Sequence, residues 1–181
     1  MALLSWSFVE TALEYTLTHS LKAGMMSYMS THPDELEELI LLAVSDKQPY
    51  SWRAAWLLSH HVIANEKRIA RHIPNIINRL KGENESQKRD LVNVLRQLEL
   101  DEEYQGVVFD ICIDIWSKVN KIPSVRWSAL RLALQITKQH PALYDEILQI
   151  TDDQYLEPLS PGIQRVIRKS LKTLSDQINR P

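Results

Sequence analysis

The chain has 181 residues and a net charge of −2, and its apolar fraction of 44% and charged fraction of 24% are ordinary for one globular domain. Glycine occurs four times and cysteine once, which argues against hairpin-rich β folds, phosphate-cradling loops and intramolecular disulfides. The first residues lack a basic segment, and the longest strongly apolar run, residues 39–44, is too short to span a bilayer. We therefore expect a single cytoplasmic domain over residues 1–181.

Apolar residues recur at the spacing of an α-helix along the whole chain, and no stretch shows a convincing period of two. Together with the breakers between them, they predict helices at residues 5–18, 20–31, 33–45, 51–64, 66–80, 86–99, 102–119, 124–139, 141–151 and 161–178. Ser51 and Ser124 follow proline-containing turns and are predicted N-caps. Pro74 lies inside a helical pattern and is expected to kink or delay its helix.

Four arginines recur near helix starts, 36, 37 and 39 residues apart: Arg53, Arg89, Arg126 and Arg165. The second helices of the predicted hairpins start near residues 32, 65, 100 and 140, which is a similar period. A recurrence of this length is typical of a helical solenoid. The sequence predicts about four helical hairpins followed by a C-terminal capping helix.

The chain resembles HEAT-like (armadillo/HEAT-type) repeats at residues 42–57, which read LAVSDKQPYSWRAAWL. In that family an acidic turn and a proline precede an apolar–arginine pair and then small residues. Residues 125–130, VRWSAL, fit the same pattern, whereas Lys88 and Gln164 replace the apolar residue in the other two copies. The resemblance covers residues 33–178 and implies a right-handed α-α superhelix whose second helices line a concave surface.

The resemblance also implies that the recurring arginines bridge neighbouring repeats. A guanidinium group can bind a carboxylate or the exposed carbonyls of a helix end. Asp46 is a candidate partner of Arg53, and Asp152 or Asp153 of Arg165; the alternative is that these arginines are solvated. We predict that most of the four contact the preceding hairpin.

Trp52, Trp56 and Trp127 flank two of these arginines. Tryptophans in such positions either form an aromatic platform for a ligand or pack between repeats. Their spacing follows the repeat, which favours packing.

Few residues suggest a metal site or a catalytic site. His60, His61 and His72 have no carboxylate or cysteine at a convincing ligand spacing, and adjacent histidines project about 100° apart on a helix. Cys112 lies on an apolar helix face and is predicted to pack in the core. No phosphate loop, HExxH motif or nucleophile elbow is present. We therefore expect no metal, no cofactor and no catalytic residue.

Two neighbouring second helices carry opposite charges. The candidate partner-binding residues are basic on the first of these helices and acidic on the second: Lys67, Arg71, Arg79, Glu103, Asp110 and Asp114. The two rows either neutralise each other across the concave groove or form a bipolar site for a partner of complementary charge.

These features favour a non-enzymatic module that binds a protein or peptide on its concave surface, with no nucleic-acid or membrane partner expected. The alternative is a DNA-binding protein or an enzyme similar to alkylpurine DNA glycosylases, which combine a basic concave surface with tryptophans and an aspartate. Trp56, Arg71 and Asp114 are the available residues, but the acidic blocks oppose DNA binding. A helper protein similar to lyase-associated HEAT proteins is a third possibility, supported only by the repeat pattern.

Overall fold

A computed structural model describes residues 9–178, except for the side chains of residues 63–66. All regular structure in this part of the chain is helical. The helices are α1 (Ala12–His19), α2 (Lys22–Thr31), α3 (Leu36–Ala43), α4 (Tyr50–Ser59), α5 (Val62–Ala70), α6 (Ile73–Arg79), α7 (Glu85–Leu95), α8 (Glu102–Ser117), α9 (Pro123–Gln139), α10 (Tyr144–Gln149), α11 (Asp153–Leu156) and α12 (Pro161–Ile178). The predicted helix at 5–18 starts outside the described residues, and α1 begins after Thr11, which caps it.

The helices stack in a row, as predicted for a solenoid. Helices α1, α4, α7, α9 and α12 are the first helices of successive repeats, and each packs against the next in this order. Helix α3 packs on α4, and α8 packs on α9. One apolar core runs through the array from Leu13 to Leu174, and Cys112 lies fully buried in it as predicted. The all-α fold class is therefore confirmed.

The predicted helix at 66–80 is two helices in the structure. Helix α5 ends at Ala70, and α6 starts again at Ile73 after a turn. Pro74 is the second residue of α6, where its missing N–H removes no intrahelical hydrogen bond. Pro74 therefore starts a new helix, in agreement with the predicted delay.

The serine N-caps were wrong. Helix α4 begins at Tyr50 directly after Pro49, so that Ser51 lies inside its first turn and is fully buried. Helix α9 has Pro123 as its first residue, which places Ser124 within the helix. In both cases the helix starts at or next to the proline, because the fixed φ angle of proline suits a helix start.

Two second helices start in the same way. A 3₁₀ turn, Pro33–Glu35, precedes α3, and a 3₁₀ turn, Pro141–Leu143, precedes α10. Each turn has a proline at its first position and a histidine before it, because the sequence repeats a His-Pro pair at residues 32–33 and 140–141. The predicted helix at 141–151 is shorter, since α10 ends at Gln149 and a separate short helix, α11, follows.

Candidate functional site

Arg126 is the most deeply buried of the recurring arginines, with 0% of its surface exposed. Its Nε donates to the carbonyl of Trp116 at 2.9 Å, and its Nη2 donates to the carbonyl of Tyr155 at 2.8 Å. The guanidinium lies 4.5 Å from the Trp116 ring centroid, and burial lowers its pKa. Arg126 thus joins the end of α8 to α11 of the following hairpin.

Arg53 joins α4 to the end of α1. Its Nε donates to the carbonyl of Leu17, and its Nη2 donates to the carbonyl of Ser20 at 2.9 Å. The carbonyls at a helix C-terminus carry partial negative charge and lack helical partners, so they suit a guanidinium. The sequence suggested Asp46 as the partner of Arg53, but in the structure Asp46 forms an ion pair with Arg79 instead.

The other two recurring arginines make no such bridge. Arg89 donates from Nε and Nη2 to both carboxylate oxygens of its neighbour Asp90, at 3.0 and 2.9 Å, and this hydrogen bonding raises the pKa of Arg89. Arg165 is exposed and has no hydrogen-bond or ion-pair partner among the described residues. The predicted acidic partner Asp153 binds Arg168 instead, at 2.8 Å. Two of the four arginines therefore bond to other helices.

Glutamines make inter-repeat bonds that the sequence reasoning missed. The Nε2 of Gln97 donates to the carbonyl of Ser59 at 3.0 Å, and the Nε2 of Gln135 donates to the carbonyl of Arg96 at 3.2 Å. The Gln97 bond links the turn after α7 to the C-terminal end of α4, and the Gln135 bond links α9 to the C-terminal end of α7. The signal was present in the sequence, because Gln97 and Gln135 are separated by a repeat length.

A groove of about 490 Å³ lies between α2, α4 and α7. It is lined by Leu21, Lys22, Met25, Trp52, Arg53, Trp56, Arg89 and Asp90. Trp52 and Trp56 are half-buried, and the Lys22 ammonium lies 5.0 Å from the Trp56 ring centroid. We call this the N-terminal groove. Its arginines are already engaged with carbonyls or with Asp90.

A second groove of about 480 Å³ lies between α7, α9 and α12, and we call it the C-terminal groove. It is lined by Arg96, Trp127, Arg131, Leu134, Gln135, Lys138, Val166 and Ser170. None of these residues is acidic. The Arg131 guanidinium lies 5.8 Å from the Trp127 ring centroid. Burial and the charge of Arg131 lower the pKa of Arg96, whose Nε is buried without a hydrogen-bond partner.

The two grooves lie on one side of the array. Arg89 lines the N-terminal groove and Arg96 lines the C-terminal groove, and they are seven residues apart on α7 and its C-cap, which places them on one side of that helix. We call this surface the first-helix face. Trp56 and Trp127 pack partly against the core, and the remaining part of each ring lines a groove. The same side chain therefore contributes to packing between repeats and to a surface that a ligand can reach.

The structure separates the six residues predicted to bind a partner. Lys67, Arg71, Glu103, Asp110 and Asp114 are exposed, whereas Arg79 is 15% exposed and binds Asp46. Within the described side chains no ion pair joins the basic row to the acidic row. Asp114 pairs with Lys118 of its own helix at 2.6 Å. Whether the two rows neutralise each other across the groove or form a bipolar site therefore stays a prediction.

The residues proposed for a glycosylase-like site are not brought together in either of these two grooves. The N-terminal groove contains Trp56 but neither Arg71 nor Asp114. The groove that contains Asp110 also has Glu102 and Glu146 in its wall, and it has no lysine or arginine.

The histidines bind other groups in the structure. His72 Nε2 lies 2.9 Å from a Glu37 oxygen, and His60 Nδ1 lies 2.8 Å from the carbonyl of Trp56. Burial raises the pKa of the Cys112 thiol well above its ordinary value. In the described part of the chain, no three His, Cys, Asp or Glu side chains are grouped so that they could hold a metal ion. No described helix is long and apolar enough to cross a membrane.

The row of packed first helices defines the class of this protein as a helical-repeat scaffold. A family model described as a HEAT repeat domain matches residues 9–174. The chain therefore belongs to the HEAT repeat family. Neither a curated protein nor a solved structure matches it.

Proposed function

We propose that this chain is a non-enzymatic module that binds an acidic segment of a protein partner on its first-helix face. The observation that supports this proposal is the composition of the two grooves, where half-buried tryptophans lie beside cationic side chains, of which only Arg89 has an acidic partner. Tryptophan and arginine are the residues most enriched at the energetic centres of protein interfaces. Leu21 in the N-terminal groove and Val166 in the C-terminal groove add exposed apolar surface beside them.

The cations available to a partner are fewer than the sequence suggests. The Nε and Nη2 groups of Arg53 and Arg89 are occupied within the protein, which leaves mainly Lys22 at one end and the C-terminal groove at the other. A nucleic-acid duplex is held mainly by many phosphate contacts along its backbone. A short acidic segment with apolar residues needs only a few cations beside aromatic walls, and it fits this face better.

The experiment is a peptide-display selection on the folded chain, followed by tryptophan-fluorescence titration of the selected peptides. We expect peptides that combine Asp or Glu with apolar residues, and we expect their affinity to fall as salt is raised, because exposed charges are screened. Trp56→Ala and Trp127→Ala should each weaken binding about tenfold or more, as truncation of an interface hot spot does.

Val107→Ala is the matched control, because Val107 is an exposed apolar side chain on α8, outside both grooves. It should leave peptide affinity unchanged. Equal losses in the control and the tryptophan variants would contradict the proposal. Tighter binding of single-stranded DNA, or release of bases from alkylated DNA, would favour the nucleic-acid alternative instead.

A further inference from the structure

The C-terminal groove concentrates positive charge without compensation. Arg96, Arg131 and Lys138 line it, and no carboxylate does. Within the described side chains none of these three cations has an ion-pair partner. In the N-terminal groove, by contrast, Arg89 is neutralised by Asp90. The two grooves therefore differ in the number of cationic side chains that are free to bind a ligand, and only the C-terminal groove has several.

Arg96 is held in an unfavourable setting. Its Nε is buried with no acceptor, and its carbonyl already accepts a hydrogen bond from Gln135. Burial and the like charge of Arg131 both lower the pKa of Arg96. A buried donor without a partner costs free energy. The Nη groups of Arg96 are not enclosed and have no hydrogen-bond partner among the described residues, so they are the donors that an anion in the groove would meet.

The chemistry of the lining matches one class of anion. A carboxylate carries one negative charge, whereas a phosphomonoester carries up to two and presents three acceptor oxygens. Planar guanidinium groups bind phosphate oxygens in pairs, and Trp127 orients the Arg131 guanidinium by lying beside it. Ser170 and Gln135 add neutral polar groups to the same groove.

We propose that the C-terminal groove binds a phosphorylated residue of the protein partner, with Arg96 and Arg131 as the principal donors and Lys138 at the rim. This inference rests on the proposed function, because the phosphate would be carried by the acidic segment bound to the first-helix face. Trp127 would pack against the carrier side chain.

The test uses a degenerate library of acidic peptides with a fixed central phosphoserine and the same library with serine. Titration of the full chain should show binding at least tenfold tighter for the phosphoserine library. That gain should shrink as pH falls below about 6, because the phosphate then carries one negative charge instead of two while both guanidinium groups stay protonated. A gain that is independent of pH between about 5 and 8 would overturn the assignment.

Arg96→Ala and Arg131→Ala should each abolish the phosphorylation-dependent gain, measured as the ratio of the affinities for the phosphoserine and serine libraries. The serine library should lose some affinity as well, because both arginines belong to the groove that binds the acidic segment. Arg71→Ala removes an exposed positive charge outside the C-terminal groove and should keep the gain. Equal losses in Arg71→Ala and Arg96→Ala would mean a long-range charge effect, and the site would be rejected. Urea unfolding midpoints of all three variants identify any that fail to fold, and Arg96→Lys then tests the requirement for a planar donor.

Two further outcomes separate this inference from the proposed function. If the serine library binds and phosphorylation adds nothing, the phosphate site is wrong and the acidic-segment module stands. If neither library binds, both proposals fail. A single-stranded oligonucleotide that binds more tightly than the phosphoserine library would assign the groove to nucleic-acid phosphates and would overturn the inference.

Discussion

Arg126 and Arg96 both lie where helices meet, and each is in a cluster with a tryptophan, but their settings differ. The guanidinium of Arg126 is enclosed and donates to two carbonyls from Nε and Nη2, and only its Nη1 is buried without a partner. The side chain of Arg96 faces a groove that contains two other cations and no acceptor for its buried Nε. The comparison teaches that an arginine in this array is structural where carbonyls near helix ends face it. It is available for a ligand where neither a carbonyl nor a carboxylate engages it, whereas Arg89 is occupied by Asp90.

We expect the largest loss of stability from substitution of Arg126. Arg126→Ala would leave the carbonyls of Trp116 and Tyr155 without donors and would open a cavity, so we expect the free energy of unfolding to fall by about 3 kcal/mol. Urea denaturation followed by circular dichroism measures this. Arg165→Ala, an exposed arginine of the same repeat register, is the control and should stay within about 0.5 kcal/mol of wild type. Equal effects of the two substitutions would remove the distinction between structural and unengaged arginines.

Substitution of Gln87 tests whether a neutral donor stabilises the array in the way that Arg126 does, by hydrogen bonding to main-chain carbonyls. Its Nε2 donates to the carbonyls of Ala43 and Ser45 at 2.7 and 3.0 Å, and only 2% of its surface is exposed. Gln87→Ala should lower the free energy of unfolding by about 2 kcal/mol, because two carbonyls lose their donor. The exposed amide of Gln154 provides the control, since Gln154→Ala should change stability little. A Gln87→Ala protein as stable as the control would show that water replaces the amide there.

Asp46 tests the weaker class of contact. Its side chain is 88% exposed, although its partner Arg79 is largely buried. Asp46→Ala should lower the free energy of unfolding by less than about 1 kcal/mol, as exposed ion pairs contribute little. The difference from wild type should shrink further at high salt. A loss as large as that of Gln87→Ala would mean that this ion pair joins the repeats as strongly as the buried amide does.

The smallest effect on stability is expected at Arg96. Arg96→Ala removes a partly desolvated charge that has no acceptor and lies close to Arg131, so the free energy of unfolding should stay within about 0.5 kcal/mol of wild type or rise. The same urea titration measures it. A loss comparable to that of Arg126→Ala would show that Arg96 is structural, and the contrast between the two arginines would fail.

Sequence reasoning recovered the parts of the fold that depend on local pattern. Helical periodicity, prolines near helix starts and a period of 36 to 39 residues were enough for the all-α solenoid and for the burial of Cys112. The same reasoning assigned Asp46 to Arg53, which is wrong, whereas its placement of a partner site on the second helices stays a prediction. It did not find the C-terminal groove, although every residue of that groove lies in or next to a helix that it predicted.

The sequence by itself determined that the chain is helical, roughly where its helices lie and how often the repeat recurs, because a period of 3.6 residues and a turn at a proline are encoded within a few neighbouring positions. Only the tertiary structure decided which donors meet which acceptors. Arg96 and Arg131 are about one repeat apart, and they share a groove because α7 packs directly on α9. Which side chains meet over that distance depends on how each helix is rotated about its axis and on the residue at which it ends. The spacing of residues in the sequence determines neither of these.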